Sequence, residues 1–266
     1  MNKNTIIVVI LVLGIAIFGA YKYLGKNRLS ENKQVSTNTT MNSDIKSDIE
    51  IVPIEHATMA LKWGSKVIIT DPVGSTTLFA AQPAPDIVLV TDIHQDHFNV
   101  ETLKAVLKEK TVLIAPKAVA DLIKEKLPGT LVVMKNGEVR DVAGISVEAI
   151  PMYNLPEKAD AFHTKGRGNG YVLEAQGKRV YISGDTSGIP EMRALKNIDI
   201  AFVCMNLPYT MSIEEAAEAV LAFKPKEVIP YHYRGTSGLS DTKKFKALVN
   251  AGDPNINVNL LNFYPN

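Results

Sequence analysis

Two kinds of apolar pattern divide this chain. Residues 6–21 (IIVVILVLGIAIFGAY) form one unbroken run of sixteen uncharged, mostly apolar side chains. Beyond residue 49 the apolar positions come instead in short runs separated by polar turns. The first run has no polar face, and Lys3 on one side and Lys22 and Lys26 on the other bound it. It predicts a helix of about 24 Å at ~1.5 Å per residue, slightly short of a ~30 Å hydrocarbon core. Snorkelling of the flanking lysines would supply the difference. Segment 1–21 is therefore read as a membrane anchor or a signal segment, and both readings stay open. Cleavage after Ala20 would put Phe18 where a small residue is wanted. Positive charge on both sides leaves the positive-inside rule undecided. The very short N-terminal tail fits a signal-anchor, so the expectation is a domain held outside the cytoplasm, or secreted or periplasmic after cleavage.

Residues 22–48 include a stretch rich in Ser, Thr and Asn, 29–48, with few apolar positions and no period. That composition reads as a flexible linker. The folded domain is expected over 49–266. Its apolar runs predict strands at 49–54, 59–63, 66–70, 86–91, 112–115, 130–134, 145–150, 170–175, 179–183, 198–204, 227–230 and 257–261. Helical periodicity falls at 100–108, 118–126, 213–223 and 242–250. Strand runs broken by single helices suit two sheets covered by helices rather than one doubly wound sheet. Trp63 reads as packing, and Glu214 and Glu215 as acids in a helix's first turn. No internal repeat stands out, and Gly166-Arg167-Gly168-Asn169-Gly170 opens a strand, so it fails the context of a dinucleotide loop.

Composition narrows the chemistry. The 29 Lys+Arg and 28 Asp+Glu give a net charge of +1, without the basic field that nucleic-acid binding needs. A hydrophobic fraction of 46% excludes wholesale disorder. The single cysteine, Cys204, ends an apolar strand and reads as a small buried hydrophobe. With one cysteine there is no Cys-rich zinc cluster, so any metal must be held by histidines and carboxylates.

The apolar run at 87–90 ends in Thr91-Asp92-Ile93-His94-Gln95-Asp96-His97-Phe98. Asp92, His94, Asp96 and His97 fall within six residues after a buried strand, where a loop can bring them together. Imidazole with carboxylate suits borderline divalent ions such as Zn²⁺, Mn²⁺ or Fe²⁺. A solvated loop leading to a helix capped by Asn99 is the plainer alternative, but four candidate ligands at this spacing favour metal.

This segment resembles the H-x-H-x-D-H signature of the metallo-β-lactamase superfamily. His163 in His163-Thr164-Lys165-Gly166 resembles the superfamily's H-T-x-G segment, and Asp185 in Ser183-Gly184-Asp185-Thr186 its G-D-T motif. His232, in Ile229-Pro230-Tyr231-His232-Tyr233, closes the set, and Asp71 stands where the superfamily has a structural aspartate. Asp92 replaces the first histidine, as in the branch resembling ascorbate-6-phosphate lactonase. Glu55-His56-Ala57, Tyr153-Asn154 and Pro208-Tyr209-Thr210-Met211 are also similar to that branch.

The resemblance implies an α/β fold, the αββα four-layer sandwich. It implies one or two divalent ions: Asp92, His94 and His163 holding the first, Asp96, His97 and His232 the second, and Asp185 bridging. The oxygen ligand Asp92 makes Mn²⁺ or Fe²⁺ more plausible at the first position. Asp96 is the candidate for orienting the water and handling its proton, with Asp71 and His56 supporting the ligand loop. Lys165, Arg167, Tyr209 and Tyr233, with Arg234, are the substrate candidates, the basic ones fitting an anionic small molecule.

Three functions are weighed: a hydrolase of a small ester, lactone or phosphoester; a membrane-associated phospholipase-D-like phosphodiesterase; and a non-catalytic metal-binding protein. Coordinating side chains at all seven ligand positions count against the third. Asp92 counts against β-lactamase activity, and the charge balance against a nuclease.

Overall fold

The architecture was read from a computed structural model, which describes residues 49–265. The expected N-terminal membrane or signal helix and the linker lie outside the described residues. Among the described residues no helix is long and apolar enough to cross a membrane.

Alternation with a period of two assigns each strand residue to one of two cores. In β3 (Lys66–Thr70), β4 (Ile87–Leu89) and β5 (Val112–Ala115), Ile68, Ile87, Leu89 and Ile114 join a large inner cluster. Their neighbours Val67, Ile69, Val88, Leu113 and Ala115 join an outer cluster with Leu103 and Val106 of helix α1 (Val100–Val106). Strands buried on both faces read as continuous apolar runs, which is why these were visible in the sequence. They belong to a six-stranded sheet, β1 (Ile49–Glu55), β2 (Thr58–Trp63), β3, β4, β5 and β6 (Thr130–Val133) in spatial order. The first three strands pair antiparallel and the rest parallel.

A seven-stranded sheet supplies the other half of the inner core. It contains β7 (Val139–Val142), β8 (Ile145–Met152), β9 (Gly168–Ala175), β10 (Lys178–Ile182), β11 (Ile200–Cys204), β12 (Glu227–Tyr231) and β15 (Asn257–Val258). Here β7 to β10 are antiparallel, and β10, β11, β12 and β15 parallel. Helix α4 (Ile213–Phe223) turns Ala216, Ala219, Val220 and Phe223 inward, and Phe223 meets Tyr181 of β10 edge-on at 6.0 Å. Ser212 caps it by accepting from the Glu215 amide. Helix α5 (Thr242–Gly252) is capped by Asp241 and packs on α4 through Phe245 and Val249.

Several boundaries depart from expectation. The helix expected at 118–126 is only α2 (Lys117–Ala120), because turns take over before the Leu127-Pro128-Gly129 corner. Strand 198–204 begins at Ile200, and 257–261 ends at Val258. Edge strand β7 was missed because three of its four residues are exposed and carry little apolar signal. Short elements were missed too: helix α3 (Pro190–Arg193) and the hairpin β13 (Arg234–Gly235) with β14 (Gly238–Leu239).

The β9 entry requires glycine. A Cβ on Gly170 would lie 2.7 Å from the Ser183 carbonyl oxygen and 2.9 Å from that of Ile182. Gly184 has φ +60°, and a Cβ there would strike Met152 Sδ at 2.6 Å.

Candidate metal centre

Strand ends at one edge of the two sheets deliver the chemistry. Asp71 follows β3, Asp92 to His97 follow β4, Asp185 follows β10 and His232 follows β12. His56 sits in the β1–β2 turn, and His163 on the long β8–β9 connection. Three of these are non-glycine residues in the left-handed region: His56 (φ +56°), Asp71 (φ +45°) and His232 (φ +46°). Such a backbone costs about 1–2 kcal/mol per residue and persists only where its surroundings hold it.

Asp71 shows how the loop is held. Its buried carboxylate accepts from the Thr91 amide at 2.7 Å, the Thr91 hydroxyl at 2.7 Å and His97 Nδ1–H at 2.8 Å. That bond puts the proton of His97 on Nδ1 and frees the Nε2 lone pair to face the cluster. His163 is set by Asn154, whose Oδ1 accepts the His163 amide at 2.8 Å and lies 3.2 Å from its Nδ1. Asp96 is set by a relay. The Arg234 amide donates to the Tyr264 hydroxyl at 3.0 Å, and that hydroxyl meets His56 Nδ1 at 2.6 Å. His56 Nε2 then lies 3.1 Å from Asp96 Oδ2.

The ligand atoms converge in two corners around Asp185. One corner joins His97 Nε2, 3.4 Å from Asp185 Oδ2, and His232 Nε2, 3.5 Å from Asp185 Oδ1, with Asp96 Oδ2 3.3 Å from His232. The other joins His94 Nδ1, 2.8 Å from Asp92 Oδ2, and His163 Nε2, 3.8 Å from Asp92 Oδ2 and 3.2 Å from Asp185 Oδ2. Three sets of possible ligand atoms lie within 4.8 Å of one another: Asp92, His94 and His163; His97, Asp185 and His232; and His56, Asp96 and His232.

The buried atoms fit a cation. His163 Nε2 and Asp185 Oδ1 are buried without a hydrogen-bond partner. His97 Nε2 and His232 Nε2 lie 3.0 Å apart, so without an ion one must donate to the other, whereas an ion would take both lone pairs. Three buried carboxylates (Asp71, Asp92 and Asp185) and the half-exposed Asp96 meet one permanent cation, Arg167, so the site favours a further cation. Burial pushes Asp185 up, yet the charges of His232 and His97 hold it well below the carboxylate range. Burial likewise opposes ionisation of Asp96, but hydrogen bonds from His232 and His56 hold it far below that range. Desolvation acts against His97⁺, while Asp185 and Asp71 outweigh it and raise the imidazole well above its usual value.

A cavity of about 540 Å³ opens over these atoms, walled by Phe162, Tyr209, Asn206 and Arg234. Phe162 and Tyr209 meet edge-on at 5.0 Å, and Arg234 lies 4.3 Å over the Tyr264 ring. Of the substrate candidates, Tyr209 and Arg234 line this cavity, while Tyr233, Lys165 and Arg167 stand elsewhere. Tyr233 is buried, with its hydroxyl 3.4 Å from the Leu261 carbonyl oxygen. Lys165 is drawn aside by Glu157 at 3.4 Å and Glu191 at 3.3 Å. Arg167 is committed to Asp92, with Nε to Oδ1 at 3.1 Å and Nη2 to Oδ2 at 2.9 Å. Phe162, Asn206 and Tyr264 were missed; an aromatic in the polar approach to His163 was the one available signal for Phe162. Cys204 is buried and its thiol pushed up to about 11 by burial, so it is not a nucleophile.

Comparison with known proteins agrees with this architecture. The Beta-lactamase superfamily domain matches residues 50–232. A UPF0173 metal-dependent hydrolase of Thermococcus onnurineus is 30% identical over 195 residues, 70% of this chain and 86% of that protein. A crystal structure from Parabacteroides distasonis, assigned as a metal-dependent hydrolase, is 36% identical with TM-score 0.70, covering 80% of this chain and 92% of that one. Igni18, a metallo hydrolase of Ignicoccus hospitalis, shares the fold at 22% identity and TM-score 0.68, over 80% of this chain and 94% of its own. Fold, strand-end ligands and these relatives place the chain in the metallo-β-lactamase superfamily, to which it belongs as a metal-dependent hydrolase of the UPF0173 group.

Proposed function

We propose that this protein hydrolyses a small ester, lactone or phosphoester with one or two divalent ions held by Asp92, His94, Asp96, His97, His163, Asp185 and His232. The observation that carries this reading is the convergence of partnerless buried His163 and Asp185 atoms on the floor of an open cavity. A bound divalent ion supplies water of pKa near ~7 and positive charge against an oxyanion. Asp96, half-exposed to the cavity and held by His56, is our candidate for orienting the attacking water. Phe162 and Tyr209 offer an apolar wall to the leaving portion. The Arg234 guanidinium, with no carboxylate in ion-pair range among the described residues, offers a contact for an anionic one. The mixed nitrogen and oxygen donors suit Mn²⁺, Zn²⁺ or Fe²⁺.

A second reading, a phosphodiesterase acting on membrane lipids, has one observation in its favour. Phe162, Leu207 and Leu239 are all exposed; Phe162 borders the cavity, Leu207 follows its lining residue Asn206 and Leu239 pairs with its lining residue Arg234. Exposed large apolar groups gathered at a polar site mark contact with an apolar partner. The apolar segment 6–21 would hold the domain at such a surface.

The full chain in detergent, loaded with Mn²⁺ or Zn²⁺, should be assayed on soluble lactones, soluble phosphodiesters and phospholipid vesicles, beside Asp185→Asn. Turnover of a soluble class that the variant loses supports the first reading; turnover confined to vesicles supports the second. Metal-loaded protein inactive on all three classes would refute both.

A further inference from the structure

The two corners of the centre are not equivalent, and Arg167 is the cause. Asp92 is fully buried, and the guanidinium of Arg167 grips both its oxygens in a fork, at 3.1 and 2.9 Å. The fork is fixed from behind, since Nη2 also donates to the Phe162 carbonyl oxygen at 2.6 Å. Among the described residues no other arginine or lysine forms an ion pair with a candidate metal ligand. Asp96 and Asp185 have only histidines beside them.

A carboxylate bound bidentately by arginine has its charge neutralised and its favoured lone pairs in use. The Asp92–His94–His163 corner therefore offers an ion no net charge of its own. Both corners reach the cavity, through His94 at 38% exposure in this one and Asp96 at 45% in the other. The Asp96–His97–Asp185–His232 corner has two carboxylates faced only by histidines, which can give up a proton to an ion as Arg167 cannot, and His97, Asp185 and His232 are all buried. An ion next to Asp92 would also share one carboxylate with a second cation, and that repulsion is large where water is excluded.

We propose that Arg167 sets the order of filling. The first ion enters the Asp96–His97–Asp185–His232 corner. A second, held by Asp92, His94 and His163, binds more weakly because Arg167 already occupies Asp92. The inference rests on the reading of these residues as a metal centre.

The test uses the full chain in detergent, stripped by chelator and titrated with Mn²⁺ under equilibrium dialysis. One equivalent is expected to bind at least about tenfold more tightly than the second, the scale of one unneutralised charge contact. At one equivalent, electron paramagnetic resonance should show isolated Mn²⁺; a spin-coupled pair at that loading would overturn the proposal without any variant. Arg167→Met should tighten the second step about tenfold or more and leave the first nearly unchanged, while Asp92→Asn should remove the second step alone. Loss of the second step in a folded Arg167→Met protein would also overturn it, showing that the arginine holds Asp92 as a ligand rather than competing for it. Failure of Mn²⁺ and Zn²⁺ to bind at all would overturn the metal centre itself, and this inference with it.

Discussion

Asp71→Asn should separate folding from metal binding. In the native protein Asp71 accepts three hydrogen bonds, two from Thr91 and one from His97 Nδ1–H. An asparagine of the same shape can keep the Thr91 amide bond only by pointing its NH₂ at the Thr91 hydroxyl and His97. The hydroxyl can turn to accept. His97 can accept only by taking its other tautomer, with Nδ1 bare and the proton on Nε2. Turning the amide over instead opposes its NH₂ to the Thr91 N–H, leaving buried donors unpaired at about 1–3 kcal/mol. Above the raised pKa of His97, where the ion-free imidazole carries one proton, the tautomer switch is the smaller cost and folding stability should fall by only about 1 kcal/mol; below it the loss is larger, because Asp71 also helps to hold the second proton. Metal binding should suffer more, since the lone pair that His97 aims into the cluster is replaced by N–H. Loss of such an orienting partner costs 10–100-fold in metal affinity, or about 1.4–2.7 kcal/mol. Asp71→Ala differs: three donors lose their acceptor, costing about 3 kcal/mol or more of stability. Competition with a chromophoric chelator gives the affinity and thermal melting of the stripped protein gives the stability. An Asp71→Asn protein that binds Mn²⁺ as the native one does would refute the role given to this carboxylate.

His163→Ala removes a buried nitrogen that has no other partner; metal content after dialysis should fall, and any hydrolytic turnover by at least about 100-fold. Metal binding should also release a proton near neutral pH. Asp185 and Asp71 raise His97 well above its usual pKa despite burial, so the ion-free imidazole carries a proton that an ion at Nε2 must displace. The affinity should therefore fall by about tenfold per pH unit as pH drops below that raised value. Calorimetry in two buffers of different ionisation enthalpy should count close to one proton at pH 7, and none would contradict the assignment. Gly170→Ala places a methyl against two backbone oxygens of β10 and its exit loop; thermal melting should show a loss of about 1–3 kcal/mol.

Much of the site was legible because its residue types are costly to place together without a ligand. Asp92, His94, Asp96 and His97 lie so close in the chain that one loop after β4 must carry them all. The β4 and β5 strands were equally visible, since burial on both faces leaves an unbroken apolar run. Edge strand β7 and the two-residue strands β13 and β14 were not, because β7 buries only Val142 and the other two bury no residue to mark them. The substrate candidates show the limit of proximity in sequence. Lys165, Arg167 and Tyr233 lie within four residues of a ligand histidine, yet ion pairing or burial turns each one away from the cavity.

The sequence by itself determined which atoms this protein can offer a metal and that they follow strands, since side-chain chemistry and local apolar periodicity are properties of neighbouring residues. Only the tertiary structure decided what faces those atoms. Arg167 reaches Asp92 across 75 positions, Tyr264 supports His56 across 208, and Asp71 orients His97 across 26. No spacing rule contains such pairings, because strand order within a sheet and the packing of the two sheets, not the chain between them, bring these ends to one edge.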